Sequence, residues 1–187
     1  MLTERFEEAL TYAHQLHREQ TRKSTTIPYL SHLLMVTGLV LEQGADEDTA
    51  IAALLHDAVE DAGGAATRAE IARRFGDRVA GLVDEVTETD EDPKPPWRER
   101  KLAYLARVET MSPGALLIAI ADKLHNNTHT LSDVRASGED VWSRFNASKA
   151  DQAWFHHAFL RVASSRADAP PALLAELRRV DEALHGA

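Results

Sequence analysis

The sequence predicts an all-α fold, and three observations carry that expectation. Nearly every segment of the 187-residue chain repeats its apolar residues at helical spacing. Capping residues open several of these runs, and glycine or proline closes or separates them. No segment requires the two-residue alternation of a half-buried strand. Neither an internal repeat nor a second-domain linker is evident, so residues 1–187 read as a single helical domain.

Taken in order, Phe6, Leu10, Ala13 and His17 follow a helical period after Thr3, with Glu4, Glu7 and Glu8 near the favourable N-terminal end. The loop Arg22–Ile27 breaks that pattern, and Pro28 can open the next helix from its first turn. Leu30, Leu33, Leu34, Val36, Val40 and Leu41 are expected on its buried side, with Gly44 as the C-terminal cap. Asp46 then caps a central helix that carries Ile51, Leu54 and Leu55 into His56. After a turn at Gly63-Gly64, Thr67-Arg-Ala-Glu70 has the spacing of a capping box before a short helix ending near Phe75-Gly76.

Val79, Leu82, Val83 and Val86 mark a further helix, and the acidic, Pro-rich stretch from Glu88 to Pro96 reads as a surface loop. Trp97-Arg-Glu-Arg-Lys101 opens the following helix. Ser112-Pro113 supplies a cap and first residue for a run, Ala115–Ala121, that is apolar all round and therefore buried. Its polar helical continuation through Asp133 decides for helix over buried strand. A short segment around Trp142, a helix from Ser148 to Ser165 and a last amphipathic helix at about 170–185 complete the series.

Hydrophobic residues make up 44% and charged residues 27%, the balance of a globular protein. No apolar run reaches about 18 residues, so no membrane span is expected. The N-terminal stretch lacks the basic and apolar regions of a secretory signal. Cysteine is absent, which removes disulfides, thiolate nucleophiles and Cys-rich zinc sites and is compatible with a cytoplasmic location. The net charge of −9 argues against nucleic acid as a partner. An anionic small molecule would need a local cationic cluster or a bound cation.

Two apolar helical runs each deliver carboxylates at their polar end. The first reaches His56, Asp57, Glu60 and Asp61; the second reaches Asp122. On a continuous helix Glu60 would lie one turn beyond His56, and Asp61 one turn beyond Asp57. With His32, the set His32, His56, Asp57 and Asp122 offers two imidazoles and two carboxylates. That mixture suits Mn²⁺, Fe²⁺ or Zn²⁺ with open positions rather than a closed structural zinc site. A bound metal can polarise phosphoryl oxygens and acidify water. Taken singly, His32 is most often a packed histidine, Asp122 a partner for Lys123, and Arg22-Lys23 a solvated pair.

A lone His, then His-Asp, then a remote Asp resembles the HD metal-dependent phosphohydrolases. The flanking segments are narrower: Arg22-Lys23, Pro28-Tyr-Leu-Ser-His32, Leu54-Leu-His-Asp-Ala-Val-Glu-Asp61, Phe75-Gly76, Lys94–Lys101 and Ala121-Asp-Lys-Leu-His-Asn126. Over about residues 1–165 they are similar to the hydrolase domain of the RelA/SpoT family, and most similar to its stand-alone small alarmone hydrolases. The resemblance implies Mn²⁺-dependent removal of the 3′-pyrophosphate of (p)ppGpp. It implies that His32, His56, Asp57 and Asp122 hold the metal, and that Glu60 and Asp61 manage the attacking water. Arg22 and Lys23 would hold the purine and Asn126 would orient the nucleoside.

Arg98, Arg100 and Lys101 are the candidates for stabilising charge on the departing phosphate, with Glu99 orienting one of them. His125 and His129 have the spacing of a zinc pair but lack a Glu between them, so a surface or supporting role is expected. Trp97, Trp142 and Trp154 read as packing residues. Other activities with the same constellation are (p)ppApp hydrolysis, another HD nucleotide phosphohydrolase reaction such as NADPH dephosphorylation, and alarmone sensing without turnover. The sequence leaves the oligomeric state open.

Overall fold

A computed structural model describes residues 1–91 and 93–186. Among them are ten α-helices, one 3₁₀ segment and no strand; the only β feature is an isolated bridge between Thr21 and Pro28. The helices are α1 (Glu4–Leu16), α2 (Leu30–Glu42), α3 (Glu47–Leu54), α4 (Ala58–Asp61), α5 (Gly64–Phe75), α6 (Asp77–Val86), α7 (Trp97–Val108), α8 (Pro113–Ser137), α9 (Lys149–Ser164) and α10 (Pro171–His185). The 3₁₀ segment, Gly138–Arg144, lies between α8 and α9. No described helix is long and apolar enough to cross a membrane.

Local chemistry sets most boundaries as expected. The side chains of Thr3, Asp46, Ser112 and Ser148 accept backbone N–H groups at the starts of α1, α3, α8 and α9, which removes donors the helix itself cannot satisfy. Gly44 follows α2 with φ +76°, a conformation open to glycine at little cost. Helix α8 is the axis of the fold and packs on α2, α3, α6, α9 and α10. Its residues Ala115, Leu116, Ile118, Ala119, Ile120 and Ala121 are all buried, as an all-round apolar helix must be. The core continues through Leu33, Val36, Ile51, Leu54, Phe155 and Phe159, each worth about 1.5–3 kcal/mol of burial.

Three local expectations are corrected. The central helix does not run through the His-Asp pair: α3 ends at Leu54, and Leu55–Asp57 form a turn before α4. The His56 ring takes the Ala53 carbonyl at 2.8 Å, the acceptor that the Asp57 N–H would use in an unbroken helix. The facing of Glu60 and Asp61 therefore cannot be argued from one continuous helix. Thr67 is not a capping residue but lies within α5, buried, with its hydroxyl bonded to the Ala62 carbonyl. Gly63 precedes that helix at φ +117°, where a Cβ would meet Thr67 Oγ1 at 2.7 Å. Leu34 is 45% exposed and points away from the core, because His32, Leu33, Val36 and Val40 occupy the buried face of α2.

Candidate functional site

Helix α2, the turn after α3 and the middle of α8 deliver His32, His56, Asp57 and Asp122 to one place. His32 and His56 are 0% and 4% exposed and Asp122 is 8% exposed, although all three are polar. His32 Nε2 lies 3.5 Å from Asp57 Oδ2 and 3.2 Å from Asp122 Oδ1. His56 Nε2 lies 3.0 and 3.8 Å from the same two oxygens. The tightest group is His32, His56 and Asp57, whose ligating atoms all fall within 4.8 Å of one another.

The tautomers follow from the opposite ring edges. His56 Nδ1 faces the Ala53 carbonyl and carries a proton there, which leaves Nε2 as the nitrogen turned to the carboxylates and the one a metal would take. His32 Nδ1 lies 2.7 Å from Nδ1 of His125. Burial foremost pushes the His125 imidazole down to about 4, so it is neutral and able to accept from His32 Nδ1–H. Both Nε2 atoms are buried without a hydrogen-bond partner among the described residues. Two such nitrogens beside two carboxylate oxygens fit a divalent ion that favours N and O ligands, which would take the place of the proton the carboxylates otherwise hold on His56.

The electrostatics draw positive charge inward. Burial disfavours a charged His56, yet Asp57 and Asp122 outweigh it and hold its pKa well above the usual imidazole value. Burial would raise both carboxyls, but His56 and His32 hold Asp57 well below its normal range. For Asp122 the adjacent Lys123 ammonium and the same two rings do so. Tyr29 Oη donates to Asp57 Oδ2 at 2.5 Å, Lys123 Nζ to Asp122 Oδ2 at 2.6 Å, and Asn126 Nδ2 to Asp122 Oδ1 at 2.6 Å. The carboxylates are thus oriented from behind by three different donors.

Glu60 accepts from Lys94 Nζ at 2.9 Å, and Asp61 accepts from Gln20 Nε2 at 2.8 Å. Desolvation by the surrounding protein, then the charge of Asp57, raises the Asp61 pKa although part of the residue reaches the surface. Such a carboxyl takes up a proton more readily than a free aspartate.

Alongside the cluster lies a cavity of about 340 Å³. His32, His56 and Asp57 are not in its lining; Tyr29, Lys123 and Asn126, which touch the two carboxylates, form the shared wall. Arg22, Lys23, Asn126 and Lys101 all line it. Arg22 Nη2 donates to Asn126 Oδ1 at 2.7 Å, and Lys23 Nζ lies 5.6 Å from the Phe145 ring centroid. Trp97 and Trp142 line the cavity as well as packing, so the expectation of packing alone is too narrow for these two.

Arg98 and Arg100 do not reach this cavity. The Arg98 guanidinium lies 3.2 Å from the Trp154 ring centroid and 3.7 Å from Asp151, both on α9. Arg100 pairs with Glu88 and donates to the Pro95 carbonyl. Three residues after Trp97 on a helix, it projects to the acidic loop while Lys101, one position on, turns inward. Glu88, rather than Glu99, is the carboxylate that holds both Arg100 and Lys101.

Sequence reasoning assigned no role to Tyr29, Lys94 or Gln20. Tyr29 and Lys94 lie inside the motif segments, but nothing in their spacing showed which carboxylate each would meet.

An all-α fold with an imidazole–carboxylate cluster at the junction of three helices and a cationic cavity beside it defines a class of helical metal-site proteins. The HD domain family pattern matches residues 9–152. The guanosine-3′,5′-bis(diphosphate) 3′-pyrophosphohydrolases MESH1 of Xenopus tropicalis and Homo sapiens are each 37% identical to the chain over 139 residues, 73% of either length. A solved metazoan SpoT orthologue, described as hydrolysing ppGpp and acting in starvation responses, superposes with a TM-score of 0.76. It is 28% identical and the match covers 96% of this chain and 95% of that one. The chain belongs to the HD-domain family and is related to the MESH1 proteins.

Proposed function

We propose that this protein is a metal-dependent 3′-pyrophosphohydrolase of (p)ppGpp, releasing pyrophosphate and GDP or GTP, and that residues 1–187 act as one hydrolase domain in the cytoplasm. The observation that carries the reading is the pair of orphaned Nε2 atoms of His32 and His56 facing Asp57 and Asp122 beside a cavity lined by Arg22, Lys23 and Lys101. The family relationship supplies the alarmone as substrate.

His32, His56, Asp57 and Asp122 would hold the divalent ion, Mn²⁺ in this reading. When bound, the ion supplies Lewis-acid activation of the phosphoryl group and of the attacking water. Asp61, with its raised pKa, accepts the proton of that water, and Glu60 positions the water while Lys94 restrains its carboxylate. Arg22 and Lys23 hold the purine end, and Asn126 joins the nucleoside side to Asp122. Lys101 and Lys123 offset the charge of the pyrophosphate; this cationic wall lets a chain of net charge −9 accept an anionic nucleotide.

Product analysis after Mn²⁺ incubation with ppGpp, ppApp and NADPH in parallel tests the reading. Pyrophosphate release from ppGpp, strongly reduced in Glu60→Ala with metal retained, is expected. Release from ppApp alone would move the base preference to adenine, and phosphate release from NADPH alone would make the enzyme a different HD phosphatase. Nucleotide binding without any product would leave a sensor.

A further inference from the structure

The geometry points to a second divalent-cation site, formed by His156 on α9 with Asp181 and His185 on α10, and suited to Zn²⁺ or a similar borderline ion. It shares no residue with the His32–Asp122 cluster and lies where the last helix meets the cavity wall.

Asp181 and His185 are four residues apart and so share one face of α10. That face meets His156 and His157. His156 Nδ1 is 2.8 Å from His185 Nε2 and 3.7 Å from Asp181 Oδ1, and His185 Nε2 is 3.9 Å from the same oxygen. Three atoms at these separations lie on a circle of roughly 2 Å radius, the length of a zinc bond to imidazole nitrogen or carboxylate oxygen. An ion near its centre would reach all three without moving a helix. His157 Nε2 stands 3.3 Å from the second oxygen, Asp181 Oδ2, where it can orient the carboxylate from outside.

Hydrogen bonding alone leaves this cluster incompletely paired. The contact between His156 and His185 satisfies those two nitrogens, but Asp181 Oδ1 is too far from either for a hydrogen bond. Its one donor among the described residues is the Asn127 amide at 3.5 Å, the outer limit of such a bond. Asp181 is only 2% exposed, and no Lys or Arg pairs with it among the described residues. A buried carboxylate in that position has no permanent positive charge beside it, only the His157 ring. Burial accordingly pushes its pKa up to about 6, while burial holds the His185 ring down at about 4 and His156 well below the usual value. Near neutral pH the three groups therefore stand as one carboxylate and two neutral imidazoles, and the proton shared between His156 Nδ1 and His185 Nε2 would pass to the far nitrogen of its ring when an ion binds.

His156 lines the main cavity, which gives an ion access and leaves room for a water ligand. The His185 ring also packs 5.5 Å from Trp142 of the same wall. A cation here would tie α10 to α9 and brace that wall from behind.

Zinc binding by the whole chain tests the proposal, with stoichiometry read by elemental analysis after dialysis against micromolar Zn²⁺. The wild-type protein should retain two equivalents and Asp57→Ala one. Adding His185→Gln to Asp57→Ala should remove the remaining equivalent, and the zinc-induced rise in Tm of the Asp57→Ala protein should vanish with it. One equivalent in the wild type, or zinc retained in the double variant, overturns the proposal. Should the double variant not fold by circular dichroism, zinc-edge anomalous diffraction from the wild-type protein decides. A peak between His156, Asp181 and His185 supports the site, and a peak only at His32 and His56 overturns it.

Discussion

Arg22 Nη2 donates to Asn126 Oδ1 at 2.7 Å, and the same amide donates through Nδ2 to Asp122 at 2.6 Å. One side chain on α8 thereby links the loop that faces the cavity to a carboxylate of the imidazole cluster. Asn126→Ala should weaken both functions together, with nucleotide affinity and metal affinity each falling about 10–100-fold. Paired metal and nucleotide titrations check this. A loss confined to nucleotide binding would show that the Asp122 contact is incidental.

Tyr29 touches the cluster with its hydroxyl and its neighbours with its ring. The ring stacks on His17 and meets His32 edge-on, while Oη donates to Asp57. Tyr29→Phe keeps the packing and removes only the donor. Manganese affinity should drop about 10–100-fold with little change in thermal stability. A Tyr29→Phe protein with wild-type metal affinity would remove the hydroxyl from the account.

Much of this fold is legible in the sequence alone. Capping residues Thr3, Asp46, Ser112 and Ser148 and the all-round apolar run of α8 announce helices through local chemistry, so their positions follow from sequence. The break at Leu55–Asp57 was not legible, because it coincides with a side-chain bond from His56 that competes with a backbone bond. Thr67 misled for a related reason: a capping-box spacing carries no information about a preceding Gly63 at positive φ. Arg98, Arg100 and Lys101 are equivalent as composition, and only the rotation of α7 lets Lys101 line the cavity while Arg98 lies over Trp154 and Arg100 turns to the Pro95 carbonyl, Glu88 holding both Arg100 and Lys101. Asp181 and His185 lie 25 or more residues beyond His156, and their meeting depends on α9 and α10 packing together.

Asp46 shows how acid should act on the fold. Its carboxylate accepts from the Thr49 hydroxyl and N–H and from Arg78, and its pKa is lowered to about 2, the Thr49 hydroxyl being the largest cause and desolvation opposing it. A depressed pKa means the contribution is fully present above the unfolded-state value near 4 and is lost as pH falls through about 2. Asp46→Ala should cost about 0.5–2 kcal/mol near neutral pH. Denaturant titrations should also give it a shallower loss of stability across that acid window than the wild type. An equal slope in both proteins would contradict the assignment.

Leu54 is fully buried and is the last residue of α3 before the His-Asp turn. Leu54→Ala should destabilise the protein by about 2–5 kcal/mol through lost transfer energy and the cavity left behind. Urea unfolding followed by far-ultraviolet circular dichroism reads this as a lower midpoint at unchanged slope. A shift below that range would mean the turn is anchored elsewhere.

Pyrophosphate release from ppGpp by Asp57→Ala, beside the wild type at equal Mn²⁺ and with manganese affinity measured on the same samples, tests the account most directly. Both turnover and tight manganese binding should collapse together, since Asp57 Oδ2 lies 3.5 and 3.0 Å from the two imidazole nitrogens. An Asp57→Ala protein that still binds manganese tightly and still releases pyrophosphate at the wild-type rate would contradict it.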